Sequence, residues 1–240
     1  MGDVRLCRRK VVNPLLPFKE ENAMGFEVYD CRRDIRNILV RPQIRARFCR
    51  LEPGTGSLDA WHTHDLGDEI FIILSGRVEF KINGEVKEVG PGQMCYALTD
   101  EPHSVRVIGD EPVYMYLSVT PHIQPTHTFY DDKGERQPPH FRPSSDYDTE
   151  TDSTTPVAEL IDGHIDALRA LATQAQASVC IQEERGQELK QALVAGDMEA
   201  ASRVREAMWE PLLQLFKQTS AVADGWNGLA PRAGSVDAVY

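Results

Sequence analysis

The sequence predicts a mainly β chain, an antiparallel sandwich or barrel over residues 40–119, followed by an α-helical hairpin over 156–221. Three observations carry this. From about residue 26 to 119, short runs rich in β-branched and aromatic residues recur between turn residues, several of them alternating apolar and polar. Asn83-Gly84 stands between two such runs, and both positions tolerate the positive φ that a two-residue hairpin turn demands. Beyond a proline-rich stretch, the apolar residues change to steps of three and four, as one buried helix face requires.

Residues 1–39 read as a basic lead-in that packs on the barrel. The first 50 residues hold twelve Lys and Arg against six Asp and Glu, a balance of +6. The whole 240-residue chain carries −11, which leaves −17 for the rest. The basic residues are scattered among apolar and acidic ones. They are therefore expected to meet acidic regions of the same fold or of a second copy in a homodimer, not nucleic acid, whose recognition needs clustered lysines and arginines.

The barrel strands are expected in ILVRPQIRARFCRL, EIFIILSG, RVEFKING, EVKEVG, QMCYAL, SVRVIG and PVYMYLSV. Residues 120–155, rich in proline and poor in aliphatic side chains, read as a linker, mobile near Asp146, Asp148, Glu150 and Asp152. Thr155 is expected to cap a helix with Pro156 at its first position, where the missing N–H costs nothing. Val157, Leu160, Ile161, His164, Leu168, Leu171, Ala175 and Val179 form its stripe. Gly196-Asp197 supplies a turn and a fresh cap, and a second stripe runs through Ala201, Val204, Met208, Leu212, Leu215 and Phe216, with a kink expected at Pro211. Residues 222–240 read as an irregular tail. The hairpin is expected to pack on the barrel exterior or a partner subunit, with a lid as the alternative.

Hydrophobic residues make up 41% and charged residues 26%, ordinary for a soluble globular protein. No apolar run reaches the roughly 20 residues that span a bilayer, so no membrane role is expected. No apolar stretch follows the basic start, so the cytoplasm is the expected location. The five cysteines are odd in number, widely spaced and without a C-x-x-C pair, which argues against a disulfide framework or a structural zinc site. Cys49 and Cys95, in expected strands, read as small buried hydrophobes.

The chemistry is concentrated between Gly56 and Gly76. In an extended chain alternate residues point to one face, so His62 and His64 converge. Glu69 then heads the run EIFIILSG. With His103 these side chains make a set of three imidazoles and one carboxylate, suited to one divalent transition metal. Asp59, Asp65 and Asp68 read as loop carboxylates, and His122, His127 and His140 as hydrogen-bonded residues outside the site. Arg45 and Arg47 share a strand face; if that face is the interior, either could clamp a carboxylate or phosphate. Phe71 shares parity with Glu69 and is expected to form an apolar wall beside Ile73. Tyr96, Tyr114 and Tyr116 are candidate substrate contacts, although core packing also accounts for them. Arg106 has the parity opposite to His103 and is expected to face out.

Glycine, five residues, His-x-His, four residues, glutamate, six residues, glycine is the spacing of Gly56, His62, His64, Glu69 and Gly76. In this the sequence resembles the cupin superfamily, matching its first motif at every defined position. The second motif is matched at Gly92 and His103, while Leu98, Asp100 and Val107 replace its proline, second glycine and asparagine. The resemblance covers about residues 40–119 and implies a double-sheet jelly-roll barrel. It also implies His62, His64, Glu69 and His103 as metal ligands, with Fe(II) preferred among Fe, Mn, Ni, Zn and Cu. The activity implied is metal-dependent chemistry on a small organic molecule, dioxygenase-like oxidoreductase chemistry first. Isomerase, lyase or decarboxylase chemistry and non-catalytic small-molecule binding are the alternatives. Glu69 is the candidate catalytic base, and Arg45, Arg47, Phe71, Tyr96 and Tyr116 the candidate substrate contacts.

Overall fold

The computed structural model describes residues 26–234, so most of the expected lead-in and the end of the expected tail lie outside the described residues. The first expected run is two strands, β1 (Asn37–Arg41) and β2 (Ile44–Leu51). Pro42 has no N–H for a ladder and sits in the turn between them. The others are β3 (Asp68–Ser75), β4 (Arg77–Ile82), β5 (Glu85–Val89), β6 (Met94–Ala97), β7 (His103–Ile108) and β8 (Val113–Thr120). They form two antiparallel sheets, ordered β1-β2-β8-β3-β6 and β5-β4-β7. This is the expected double-sheet jelly roll. Asn83 and Gly84 take φ of 48° and 85° in the β4–β5 hairpin.

Phe71 and Ile73 of one sheet and Val78, Phe80 and Val107 of the other share a buried core with Val113 and Met115. Cys49 belongs to it and Cys95 packs against it. Burial raises both thiols, that of Cys95 to about 12, so neither is a thiolate at neutral pH.

Two boundaries differ from expectation. Residues 120–155, expected as a linker, are buried in part. From Pro121 to Thr128 every even-numbered side chain is buried (His122, Gln124, Thr126 and Thr128), and Thr128 bridges Thr63 in antiparallel fashion. The residues so buried are polar, so their period of two carries no hydropathy signal. Further on, Ser144–Tyr147 forms a 3₁₀ turn that buries Tyr147. The expected tail is also corrected: α2 (Met198–Leu229) runs past residue 221.

Helix α1 (Val157–Ala195) follows Pro156 directly, and Asp197 caps α2 by accepting the Ala200 N–H at 2.9 Å. The chain divides into two compact units, one of Tyr29–Asp166 with the chain from Ser220 on, the other built on Ala167–Thr219. Within the second, Gln174 and Ser178 donate to the Pro211 carbonyl and Gln182 to that of Met208, so side chains of α1 serve the α2 carbonyls around the proline. Within the first, Trp226 Nε1 donates to Gln124 O, and Asn227 donates to His122 O while accepting from the Gln124 N–H. No helix among the described residues is long and apolar enough to cross a membrane.

Candidate metal centre

Strand register builds the site. Arg45 pairs with Val119, Val119 with Glu69, and Glu69 with Ala97, which makes one row across the five-stranded sheet. The next row on the same face runs Arg47, Leu117, Phe71, Cys95. Arg45 and Glu69 are therefore separated by a single strand, roughly 10 Å at normal strand spacing. From the other sheet, His103 opens β7, and His62 pairs with it through two backbone hydrogen bonds of 3.0 and 3.2 Å. His62 and His64 lie in no regular strand. Isolated bridges, His62 to His103 and Thr63 to Thr128, hold that segment extended.

The first motif's glycines have a backbone reason. Gly56 takes φ of 87° against β7, where a Cβ would fall 2.1 Å from the Val105 carbonyl oxygen. Gly76 takes φ of 75° with its Cβ direction blocked by Pro112 and Val113. Asp100, standing where the second motif has a glycine, adopts φ of 65° as aspartate can, and its N–H donates to His64 O at 2.9 Å.

One ligand atom from each of His62, His64, Glu69 and His103 can be chosen so that all lie within 4.8 Å of one another. His64 Nδ1 hydrogen-bonds the Thr126 carbonyl and His103 Nδ1 the Glu101 carbonyl at 2.9 Å. A carbonyl only accepts, so each Nδ1 carries the hydrogen and each Nε2 faces inward. Both Nε2 atoms lie 2.9 Å from the same oxygen of Glu69, Oε2. His62 Nε2 is buried with no hydrogen-bond partner.

Burial alone would raise the Glu69 pKa, but hydrogen bonds from His103 and His64 outweigh it and hold the carboxyl below the usual carboxylate range. His103 is desolvated too, yet Glu69 pushes it above its ordinary value. His62 has no such partner, and burial, then the neighbouring His103, lowers it to about 3. The set thus offers an ionised carboxylate, a neutral imidazole with an orphaned nitrogen, and two rings whose tautomer is set from behind. These donors fit a divalent transition metal, which would replace the proton otherwise shared by Glu69 and the histidines.

The expected contacts divide. Arg45, Arg47 and Phe71 line a cavity of about 300 Å³ together with His62, Glu69 and His103. Arg45 is buried, with its guanidinium 5.6 Å from the Tyr147 ring centroid. Burial lowers its pKa while Glu69 opposes that. The Nε atoms of Arg45 and Arg47 are both buried without a partner.

Tyr96 and Tyr116 are corrections, since neither lines this cavity. Tyr96 is exposed on β6, where Cys95 takes the inward register position. Tyr116 alternates with the inward Met115 and Leu117 and packs edge-on against Phe48. Tyr114 has the same outward parity and lies under Arg50. Arg106 faces out and pairs with Glu79, as expected. Asp65 accepts from Thr128 at 2.6 Å, and Asp68 accepts from the Thr99 N–H at 2.9 Å, so both are structural.

His127 was not expected at the site. Its ring lies 4.8 Å from those of His62 and His64, its Nδ1 is 2.8 Å from Thr126 Oγ1, and it lines the cavity. Burial, then the nearby His62, lowers its pKa. No sequence signal finds it: its parity is opposite to that of the buried His122, Gln124, Thr126 and Thr128, and the bridge between Thr63 and Thr128 is what brings it beside the His62–His64 segment.

Residues 47–120 match the family model described as Cupin domain. Among solved structures, a protein of Klebsiella pneumoniae with a double-stranded beta-helix domain is 21% identical, with a TM-score of 0.36, and the match covers 39% of this chain and 84% of that one. A cupin protein from Bacteroides fragilis is 24% identical, with a TM-score of 0.31, over 33% of this chain and 66% of that one. No curated protein matches the chain.

Proposed function

With residues 47–120 matching the Cupin domain model, we propose that this chain is a metal-dependent enzyme acting on a small organic anion by dioxygenase-like oxidoreductase chemistry. The observation that carries the proposal is the pairing, in one cavity, of three of the four donor residues, His62, Glu69 and His103, with two buried arginine Nε–H groups that have no protein acceptor. An unpaired buried donor is costly, and a carboxylate or phosphate bound there satisfies both. A divalent metal, Fe(II) by preference, would be held by His62, His64, Glu69 and His103 and would supply Lewis-acid or oxygen-activating chemistry.

The chain's own residues do the rest. Arg45 and Arg47 orient the anionic end of the substrate. Phe71, Phe80, Met115 and Leu117 line the cavity and exclude water, and this apolar wall is what favours oxidative chemistry over hydrolytic. Glu69 is assigned to holding the metal rather than to proton transfer, because its Oε2 is already shared by His64 and His103.

The test is metal analysis of the purified protein before and after loading with Fe, Mn, Ni, Zn and Cu, followed by oxygen uptake with small carboxylates and phosphates. One bound metal with substrate-dependent oxygen uptake supports the reading. Metal binding with anion turnover but no oxygen uptake moves it to isomerase or lyase chemistry. A protein that stays metal-free after every loading overturns it.

A further inference from the structure

Within the barrel unit, a groove of about 430 Å³ opens at the bases of α1 and α2, and its lining shares no residue with that of the metal cavity. Its floor holds two imidazoles, His122 and His164, whose Nδ1 atoms are both buried and without a hydrogen-bond partner. His122 is 2% exposed. Burial, then the nearby Arg45, lowers its pKa to about 4, so it is uncharged at neutral pH. Around this floor stand four carboxylates, Glu150, Asp152, Glu159 and Asp224, against one cation in the described lining, Arg41.

The glycines of the groove are a second, independent observation. Gly163 lines it from the interior of α1, where glycine is a poor helix former, and Gly228 lines it one residue before α2 ends. At neither would a Cβ meet any atom within 4 Å, so close helix packing does not require them. Their effect is to leave room. Volume, unpaired buried ring nitrogens and a negative rim are the features of a small-molecule site.

We propose that this groove binds a small organic cation, an ammonium or guanidinium compound, with its charge held by the Glu159 and Asp224 carboxylates and its N–H groups donated to His122 and His164. A metal ion fits less well. Among the described residues, the donor atoms that converge closely enough for one are those of His62, His64, Glu69 and His103. The proposal is independent of the chemistry assigned to that centre.

The experiment is titration calorimetry of the full chain with putrescine and agmatine, using 1,4-butanediol as the uncharged control. Saturable binding of at least one amine, none of the diol, and at least tenfold weaker amine binding in the Glu159→Gln/Asp224→Asn double variant are expected. The Gly163→Leu/Gly228→Leu variant separates room from folding: its thermal midpoint should equal or exceed that of the wild type while amine binding is lost. The proposal is overturned if neither amine binds at millimolar concentration, if the diol binds as well as the amines, or if either double variant binds as tightly as the wild type.

Discussion

Asn37 and Asp148 lie 111 positions apart, and one carboxylate oxygen of Asp148 accepts both the backbone N–H of Asn37 at 2.8 Å and its side-chain amide at 2.9 Å. The pair ties the start of β1 to the far end of the segment that follows β8. Hydrogen bonds from the Asn37 backbone, then from its side chain, hold the Asp148 carboxyl below its usual range. A depressed carboxylate pKa adds stability above the unfolded value, about 4, and that contribution disappears as pH falls through the lower folded value. Asp148→Asn keeps a residue that tolerates the φ of 55° found here. It is expected to lower unfolding free energy by about 1 kcal/mol at pH 7, and the difference from wild type should shrink toward zero as the pH drops below about 4. Urea unfolding at pH 7, 5 and 3 measures this; a difference constant across the three would remove the charge from the account.

That tie also shows what was legible in the sequence and what was not. The ligand spacing from Gly56 to Gly76, the Asn83-Gly84 hairpin and the left-handed Asp100 could all be read, because each depends on local geometry that a residue type reports directly. The 120–130 segment could not. It is buried through His122, Gln124, Thr126 and Thr128, and its proline content reads as linker, so nothing in its hydropathy distinguishes a covered strand from a loop. His127 was lost with it. Tyr96 and Tyr116 failed for another reason. Residue type alone made them candidates, and which face each strand turns inward depends on its register with the neighbouring strand, which puts Cys95 and Leu117 inward instead.

At the metal centre, the orphaned Nε2 of His62 gives a clean variant. His62→Ala removes a buried polar atom that has no protein partner, so the metal-free protein should unfold no more easily than wild type. Metal content should nonetheless fall to well below one per chain. Wild type with excess metal should gain about 3 kcal/mol at a hundredfold excess over the dissociation constant, and the variant nothing. Calorimetric thermal midpoints with and without metal decide it; equal metal-induced shifts in both proteins would contradict a role for His62 as ligand.

For Arg45 the expected signs are opposite for stability and binding. Its guanidinium is buried and its Nε unpaired, so Arg45→Met should leave the protein equally or more stable, since an apolar side chain of similar volume carries no desolvation penalty. Binding of oxalate or inorganic phosphate to the metal-free protein should weaken by roughly 10–100-fold, the equivalent of one hydrogen bond to a charged group. Metal content should be unchanged. A variant that is much less stable yet binds the anions as wild type does would make Arg45 a structural residue held by Tyr147.

Gly56 and Gly84 separate close approach from backbone conformation. Both take positive φ, 87° and 85°, and alanine at either incurs roughly 1–2 kcal/mol of left-handed strain. At Gly84 nothing lies within 4 Å of the missing Cβ, so Gly84→Ala should cost no more than that strain. At Gly56 the new methyl would sit 2.1 Å from the Val105 carbonyl oxygen, backbone that cannot turn aside as a side chain can. Gly56→Ala must therefore push β7 away, and His103 lies two residues along that strand from Val105. The expected result is a larger loss of stability at Gly56 than at Gly84, by about 2 kcal/mol or more, with metal affinity reduced only in the Gly56 variant. Unfolding and metal titration of the two variants side by side provide the check. Equal losses in both would mean that the first-motif glycine is selected by φ alone and that its contact with β7 has no part in positioning His103.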